Sequence, residues 1–390
     1  MHKFFLAFFF SYSFFLGGTA LANQPQRPFP HGQENKAPVD ETEGEEALSD
    51  DDANAPNHPC TLDFPIWLKR QEGPTPHPER AENYLFEAQV MKKMGVLLEE
   101  WPGLMTAECI GRTVRRHPIW SFSIENPTIE TSHTVLVFAQ LHALEWLGTE
   151  VVVKLAESLS DSAPAGVKVV LVPIVNPDGR ARVEKDLVND RIGVYRRANS
   201  NGVDLNRDWG ANREITSIWS KMPFTSRYYY YSKEPVSQPE SKALDKLAEA
   251  IQPDAVVSLH AFGGYVYYPW GGLKEPTADQ DEIHRQALLM SSAQANGGYI
   301  AVQLGKWAFW FKAHGVEIDH FYRKYGASSF IIELSHSGIN LFDWDTVRDF
   351  FRWYNPKDPK PHVQDGHDAV RALIYDYSHR AQRAPGSQAH

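Results

Sequence analysis

Cysteine is scarce in this chain: Cys60 and Cys109 are the only two among 390 residues. Neither falls near a candidate metal ligand, which sets cysteine aside from metal binding. Two options remain for the pair, a disulfide in an oxidising compartment or two separate buried thiols. Long apolar runs are equally few. Beyond the N-terminus no stretch approaches about 18 uninterrupted apolar residues, so nothing in the mature chain reads as a membrane span. A basic surplus is also missing, since 39 Lys and Arg face 49 Asp and Glu for a net charge of −10. Most of that excess sits at Asp40, Glu41, Glu43, Glu45, Glu46, Asp50, Asp51 and Asp52. The rest is close to neutral, which argues against a nucleic-acid or anionic-membrane partner. No internal repeat is visible.

What the chain does contain begins with Lys3, an apolar run over Phe4–Leu16 and Ala20-Leu21-Ala22. Residues 1–22 read as a secretory signal peptide ending in a small-residue cleavage site, which places the mature protein outside the cell or in the periplasm. Residues 23–58 form an acidic, Pro/Asn-rich leader expected to be disordered. Residues 59–385 then read as one large domain, and a hydrophobic share of 42% supplies an ample core. Apolar runs predict strands near 118–124, 133–140, 167–173, 255–260, 265–268 and 329–334. Helical spacing predicts helices near 82–99, 149–160, 238–251, 281–294 and 366–378. Such alternation predicts an α/β fold, with a parallel or mixed sheet between helical layers.

The chemistry concentrates at the ends of those strands. His-Ala-Leu-Glu-Trp at 142–146 lies between an apolar strand and a helix carrying Val152, Leu155 and Leu159 at helical spacing. A histidine and a glutamate three residues apart at such a corner can face one cleft. Zinc accepts imidazole nitrogen and carboxylate oxygen, and a catalytic site needs three protein ligands and an open position. His-x-x-Glu also occurs at His31/Glu34 and His314/Glu317, so context must choose, and His31/Glu34 falls in the polar leader. A third ligand is available at His260, which ends Ala255-Val-Val-Ser-Leu-His260. A carboxylate, Glu333, sits within the apolar run Ser329-Phe-Ile-Ile-Glu333-Leu334. Burying it unpaired would be costly, which points to a function.

In this order and spacing the motifs resemble the zinc metallocarboxypeptidases of the carboxypeptidase A/B type. Besides those already given, they are Gly111-Arg-Thr-Val-Arg-Arg-His-Pro-Ile119, Pro173-Ile-Val-Asn-Pro-Asp-Gly179, Tyr195-Arg-Arg197, Gly202-Val-Asp-Leu-Asn-Arg-Asp-Trp209 and Ser237-Gln-Pro-Glu-Ser241. The likeness covers roughly residues 85 to 380. It implies a twisted mixed sheet of about eight strands with helices on both faces. It also implies one Zn²⁺ per chain, held by His142, Glu145 and His260, that activates a water for attack on a peptide bond. Glu333 would be the general base, and Arg196 would stabilise the developing oxyanion. Asp204 would orient His142 by an outer hydrogen bond. Asn206 and Arg207 would bind the free carboxylate of a peptide or protein C-terminus.

Two positions depart from the resemblance. Leu144 stands where the family carries an arginine. An ungapped count puts Phe311 where the family carries a mobile tyrosine, keeping the ring without the hydroxyl, unless a shifted register brings Tyr322 or Tyr325 into that place. An ungapped count puts Ile318 at the floor of the pocket for the C-terminal side chain, which favours apolar residues. A shift of one position to Glu317 or Asp319 would favour Lys or Arg instead. The expected protein is thus a secreted carboxypeptidase, a monomer with no membrane anchor once the signal is cleaved. The alternative is a related hydrolase acting on peptidoglycan stem peptides or other N-acyl amino acids.

Overall fold

The computed structural model describes residues 60, 62–71, 78–214, 232–296, 298–307, 312–336 and 343–383. The signal and leader segments (1–22 and 23–58) and Phe311 lie outside the described residues.

Eight strands form one sheet: β1 (Met105–Arg112), β2 (Pro118–Ile124), β3 (His133–Ala139), β4 (Val167–Val172), β5 (Ala255–Ala261), β6 (Tyr265–Tyr268), β7 (Ile300–Gln303) and β8 (Ser328–Leu334). Their order is β1-β2-β4-β3-β5-β8-β6-β7. The centre is parallel, β4 with β3, β3 with β5 and β5 with β8, while β1 and β2 join antiparallel at one side. On the other side β6 runs antiparallel to β8 and parallel to β7. This is the mixed eight-stranded sheet that the resemblance implies.

The principal helices are α1 (Phe64–Lys69), α2 (Glu87–Glu100), α3 (Leu147–Asp161), α4 (Pro177–Val188), α5 (Pro239–Ile251), α6 (Gln280–Ser292), α7 (Glu317–Tyr325) and α8 (Lys360–Arg383). They cover both faces, as the pleat of β3 shows. Successive side chains of a strand point to opposite faces. Val135, Val137 and Ala139 enter one core with Val151, Val152 and Leu155 of α3 and Ala369, Leu373 and Ile374 of α8. Leu136 and Phe138 enter another with Leu244 and Leu247 of α5 and Phe321 of α7. Burial on both faces explains why the central strands read as continuous apolar runs.

Five of these elements lie outside the strands and helices expected from the sequence: β1, β7, α1, α4 and α7. β1 is an edge strand with only two of its eight residues buried, so it lacks an apolar run. β7 is four residues long. α4 opens on Asn-Pro-Asp-Gly, which reads as a turn. Here Asn176 caps the helix by accepting from Gly179 N at 2.9 Å, with Pro177 in the first turn.

Cys60 and Cys109 are joined in a disulfide with Cα atoms 5.4 Å apart. The bond ties the chain just before α1 to β1. Phe64 of α1 then packs edge-on against Trp120 and Phe122 of β2, at 4.9 and 5.0 Å between ring centroids.

Candidate metal centre and active site

The central parallel strands deliver the site. β3 ends at Ala139 opposite Leu259 of β5, and His260 of β5 lies in register with Glu333 of β8. Three adjacent strands thus bring His142, His260 and Glu333 to the carboxyl edge of the sheet, where open α/β sheets bind ligands.

Several contacts hold the corner after β3. Gln140 adopts a positive φ of 60°, and its side chain donates to Ala143 O at 3.1 Å and accepts from Thr149 and Arg180. Arg180 is fully buried, with its guanidinium 3.6 Å from the Trp146 ring centroid. Asn355 donates to Leu144 O at 2.7 Å and accepts from Trp146 N at 3.0 Å. Gly148, in the first turn of α3, allows the helix to approach the sheet. A Cβ there would lie 2.9 Å from Leu259 Cβ and 3.0 Å from its carbonyl oxygen.

On this base His142 Nδ1 lies 2.8 Å from Glu145 Oε1 and 3.1 Å from His260 Nδ1, and His260 Nδ1 lies 3.0 Å from Glu145 Oε2. One donor atom from each of the three residues falls within 4.8 Å of the others, and all three are buried. Two imidazole nitrogens and a carboxylate match the donors of a mononuclear zinc site with an open position. The outward nitrogens fit the same use. His142 Nε2 contacts Asp204 Oδ1 at 2.9 Å, which leaves Nδ1 as the free lone pair when Nε2 carries the proton.

The charges are strongly coupled. Burial opposes ionisation of Asp204, but Arg197 and His142 outweigh it and hold the carboxyl well below the usual range. Burial also opposes the charge on Glu145, and His142 and His260 again reverse the effect. For Glu333, burial wins. The carboxyl is pushed up to about 8, with Glu145 adding to the effect and His260 and Arg197 opposing it. A dication on the adjacent donors would act in the opposite direction, as any nearby positive charge does. Glu333 is half-buried, and its Oε2 has no hydrogen-bond partner among the described residues.

Of the expected polar residues, the structure gathers His142, Glu145, His260, Glu333 and Asp204, with Asn206 beside them. Asn206 N donates to Asp204 Oδ1 at 2.9 Å, and its own Oδ1 accepts from Glu317 N at 3.2 Å. That bond orients the Asn206 amide NH₂ away from Glu317. Arg207, partly buried, donates to Asn206 O at 2.6 Å. Arg196 is turned toward Asp186, with its Nε 2.9 Å from Asp186 Oδ2. Arg197 reaches the cluster instead, with Nε 3.0 Å from Asp204 Oδ2 and Nη1 3.4 Å from Glu145 Oε1.

Leu144 is buried in the core that also holds Val183, Leu187 and Phe351. Ile318 is fully buried in a small apolar cluster with Tyr267, Val316 and Ile331. The acids flanking it are engaged elsewhere. Asp319 accepts from Gly271 N, Gly272 N and Asn212, and Glu317 contacts His260.

A parallel-centred α/β sheet carrying buried His, Glu and His donors beside a glutamate defines a metallohydrolase-like protein. More narrowly, the chain belongs to the zinc carboxypeptidase family, whose model matches residues 90–349. Rat carboxypeptidase A1 is 24% identical over 270 residues, covering 65% of this chain and 63% of its own length. An uncharacterised protein of Bacillus subtilis, YqgT, is 28% identical over 216 residues, covering 48% of this chain and 56% of its own. Carboxypeptidase SOL1 of Arabidopsis thaliana is 24% identical over 220 residues, covering 53% of this chain. The matched segments span 39–63% of these relatives' lengths. Among solved structures, thrombin-activatable fibrinolysis inhibitor superposes with a TM-score of 0.63 at 18% identity, covering 79% of this chain and 78% of that one. Carboxypeptidase A of Helicoverpa armigera gives 0.62 at 19%, covering 83% and 79%. At these identities the superpositions establish the fold. Among the described residues, no helix is long and apolar enough to cross a membrane.

Proposed function

We propose that this protein is an exported zinc carboxypeptidase that removes the C-terminal residue of peptides or proteins. The convergence of His142, Glu145 and His260 donors beside Glu333 carries this reading. These three residues would hold the ion, and bound zinc supplies Lewis acidity and lowers the pKa of a water. Glu333 accepts the proton of the attacking water at its unbonded oxygen and returns it to the departing amine. The Arg197 guanidinium, which reaches Glu145 and Asp204, would offset the charge that develops on the scissile carbonyl oxygen in place of Arg196. Asn206 and Arg207 bind the substrate's terminal carboxylate, and the planar guanidinium allows two parallel hydrogen bonds. With Asp319 and Glu317 engaged elsewhere, the apolar cluster around Ile318 favours an apolar or aromatic C-terminal side chain.

The test compares kcat/KM for one short peptide as free acid and as C-terminal amide. Wild type should prefer the acid, and Arg207→Ala should reduce that preference by about tenfold to a hundredfold, the usual worth of a hydrogen bond to a charged group. Equal wild-type rates on both forms would exclude an exopeptidase and favour a hydrolase of other N-acyl amino acids. An unchanged preference in the variant would assign the carboxylate to another residue.

A further inference from the structure

The geometry points to Glu317 as a positioning residue for His260, an inference that rests on the zinc-site reading above. Glu317 opens α7 and is fully buried, with Oε1 2.9 Å from His260 Nε2. The two nitrogens of an imidazole face opposite ways. His260 Nδ1 converges on Glu145 and His142, so Nε2 necessarily points away from the donor cluster. A carboxylate at Nε2 can only accept, so it selects the tautomer with hydrogen on Nε2 and the lone pair on Nδ1, and it fixes the ring plane. Asp204 makes the same contact to His142. Each histidine therefore has its own carboxylate.

The two carboxylates are also joined to one another. Asn206 takes the Asp204 oxygen with its backbone N–H, and its side-chain oxygen receives the Glu317 backbone N–H. A line of hydrogen bonds thus runs from His142 through Asp204, Asn206 and Glu317 to His260, and the turn that positions Asn206 for substrate also spaces the two acids. The second oxygen of Glu317 is buried with no hydrogen-bond partner among the described residues. A buried carboxylate left half-satisfied is costly. That cost is understandable where the group faces a ligand whose partner is a dication. His314-x-x-Glu317 is also the His-x-x-Glu repeat that neither the leader nor the zinc corner absorbs.

The experiment measures zinc affinity by competition with a chelator, and the visible spectrum of the cobalt(II) form, for the whole chain. It compares wild type with Glu317→Leu, Glu317→Gln and His260→Ala. Glu317→Leu should weaken zinc binding by about 10–100-fold, the usual effect of removing an outer partner of a metal-bound histidine. Glu317→Gln should fall between Leu and wild type, because its amide oxygen still accepts from Nε2–H but lacks the charge. Both should change the cobalt spectrum, which a purely structural role would leave alone. If the Leu variant fails to fold, the isosteric Gln variant decides the matter. Wild-type zinc affinity and spectrum in the folded variants would overturn the inference. His260→Ala separates the two possible failures. Zinc lost in His260→Ala but retained by the Glu317 variants refutes only the role of Glu317, whereas zinc retained in His260→Ala refutes the metal site itself.

Discussion

Glu333→Gln should lower kcat by about 10²–10⁴-fold while the protein still binds one equivalent of zinc. The amide copies the size and shape of the carboxyl but cannot take a proton, and general-base catalysis is typically worth that factor. Zinc should remain because Glu333 is not among the converging donors, which come from His142, Glu145 and His260. Its position instead follows from strand pairing, since Glu333 is the residue of β8 opposite His260. Gly263 keeps room for it, because a Cβ there would lie 3.0 Å from Glu333 Cβ. Steady-state kinetics with metal analysis of the same sample test this directly. Turnover near that of wild type would assign the base elsewhere.

Replacing Cys60 and Cys109 with alanine should cost about 4 kcal/mol of stability. The bridged residues are 49 apart in sequence, and loop-closure entropy for a loop of that size gives a figure of this order. Without the bond, α1 is held to the β1–β2 edge mainly by packing of Phe64 on Trp120 and Phe122. Activity should hold, because β2 and β4 separate β1 from the strand that leads to the site. Denaturant unfolding at fixed zinc, comparing the double variant with wild type, measures the effect. Equal midpoints and slopes would show that the bond constrains nothing that packing does not already hold.

The two histidines and Glu333 were legible in the sequence because each ends, or closely follows, a strand buried on both faces. β3, β5 and β8 show as apolar runs, and His142, His260 and Glu333 stand out against them. Elements that depend on tertiary contacts were less visible. β1 shows mainly half-exposed side chains, and α4 begins with a sequence that equally suits a turn. At Arg196 and Arg197, composition cannot choose between adjacent arginines. Asp186 on α4 takes the first and Asp204 the second, so the choice depends on a helix the sequence did not reveal. Glu317 was legible as a flank of Ile318 and as the end of a His-x-x-Glu pattern but not as a partner of His260, because that contact joins α7 to a strand residue 57 positions earlier.

The same strand order bears on how a metal would reach these donors. The histidine donors lie 118 residues apart, and Glu145 and His260 lie 115 apart. They meet only after β3 and β5 have paired across the intervening chain, and such long-range pairing is intrinsically slow. No local segment holds even two histidine donors, unlike the short chelating loops whose folding is driven by metal. Zinc bound at this site would therefore act as a late clamp that resists unfolding by mass action, rather than as a folding template. Refolding rates with and without zinc should therefore coincide, while unfolding slows when zinc is present.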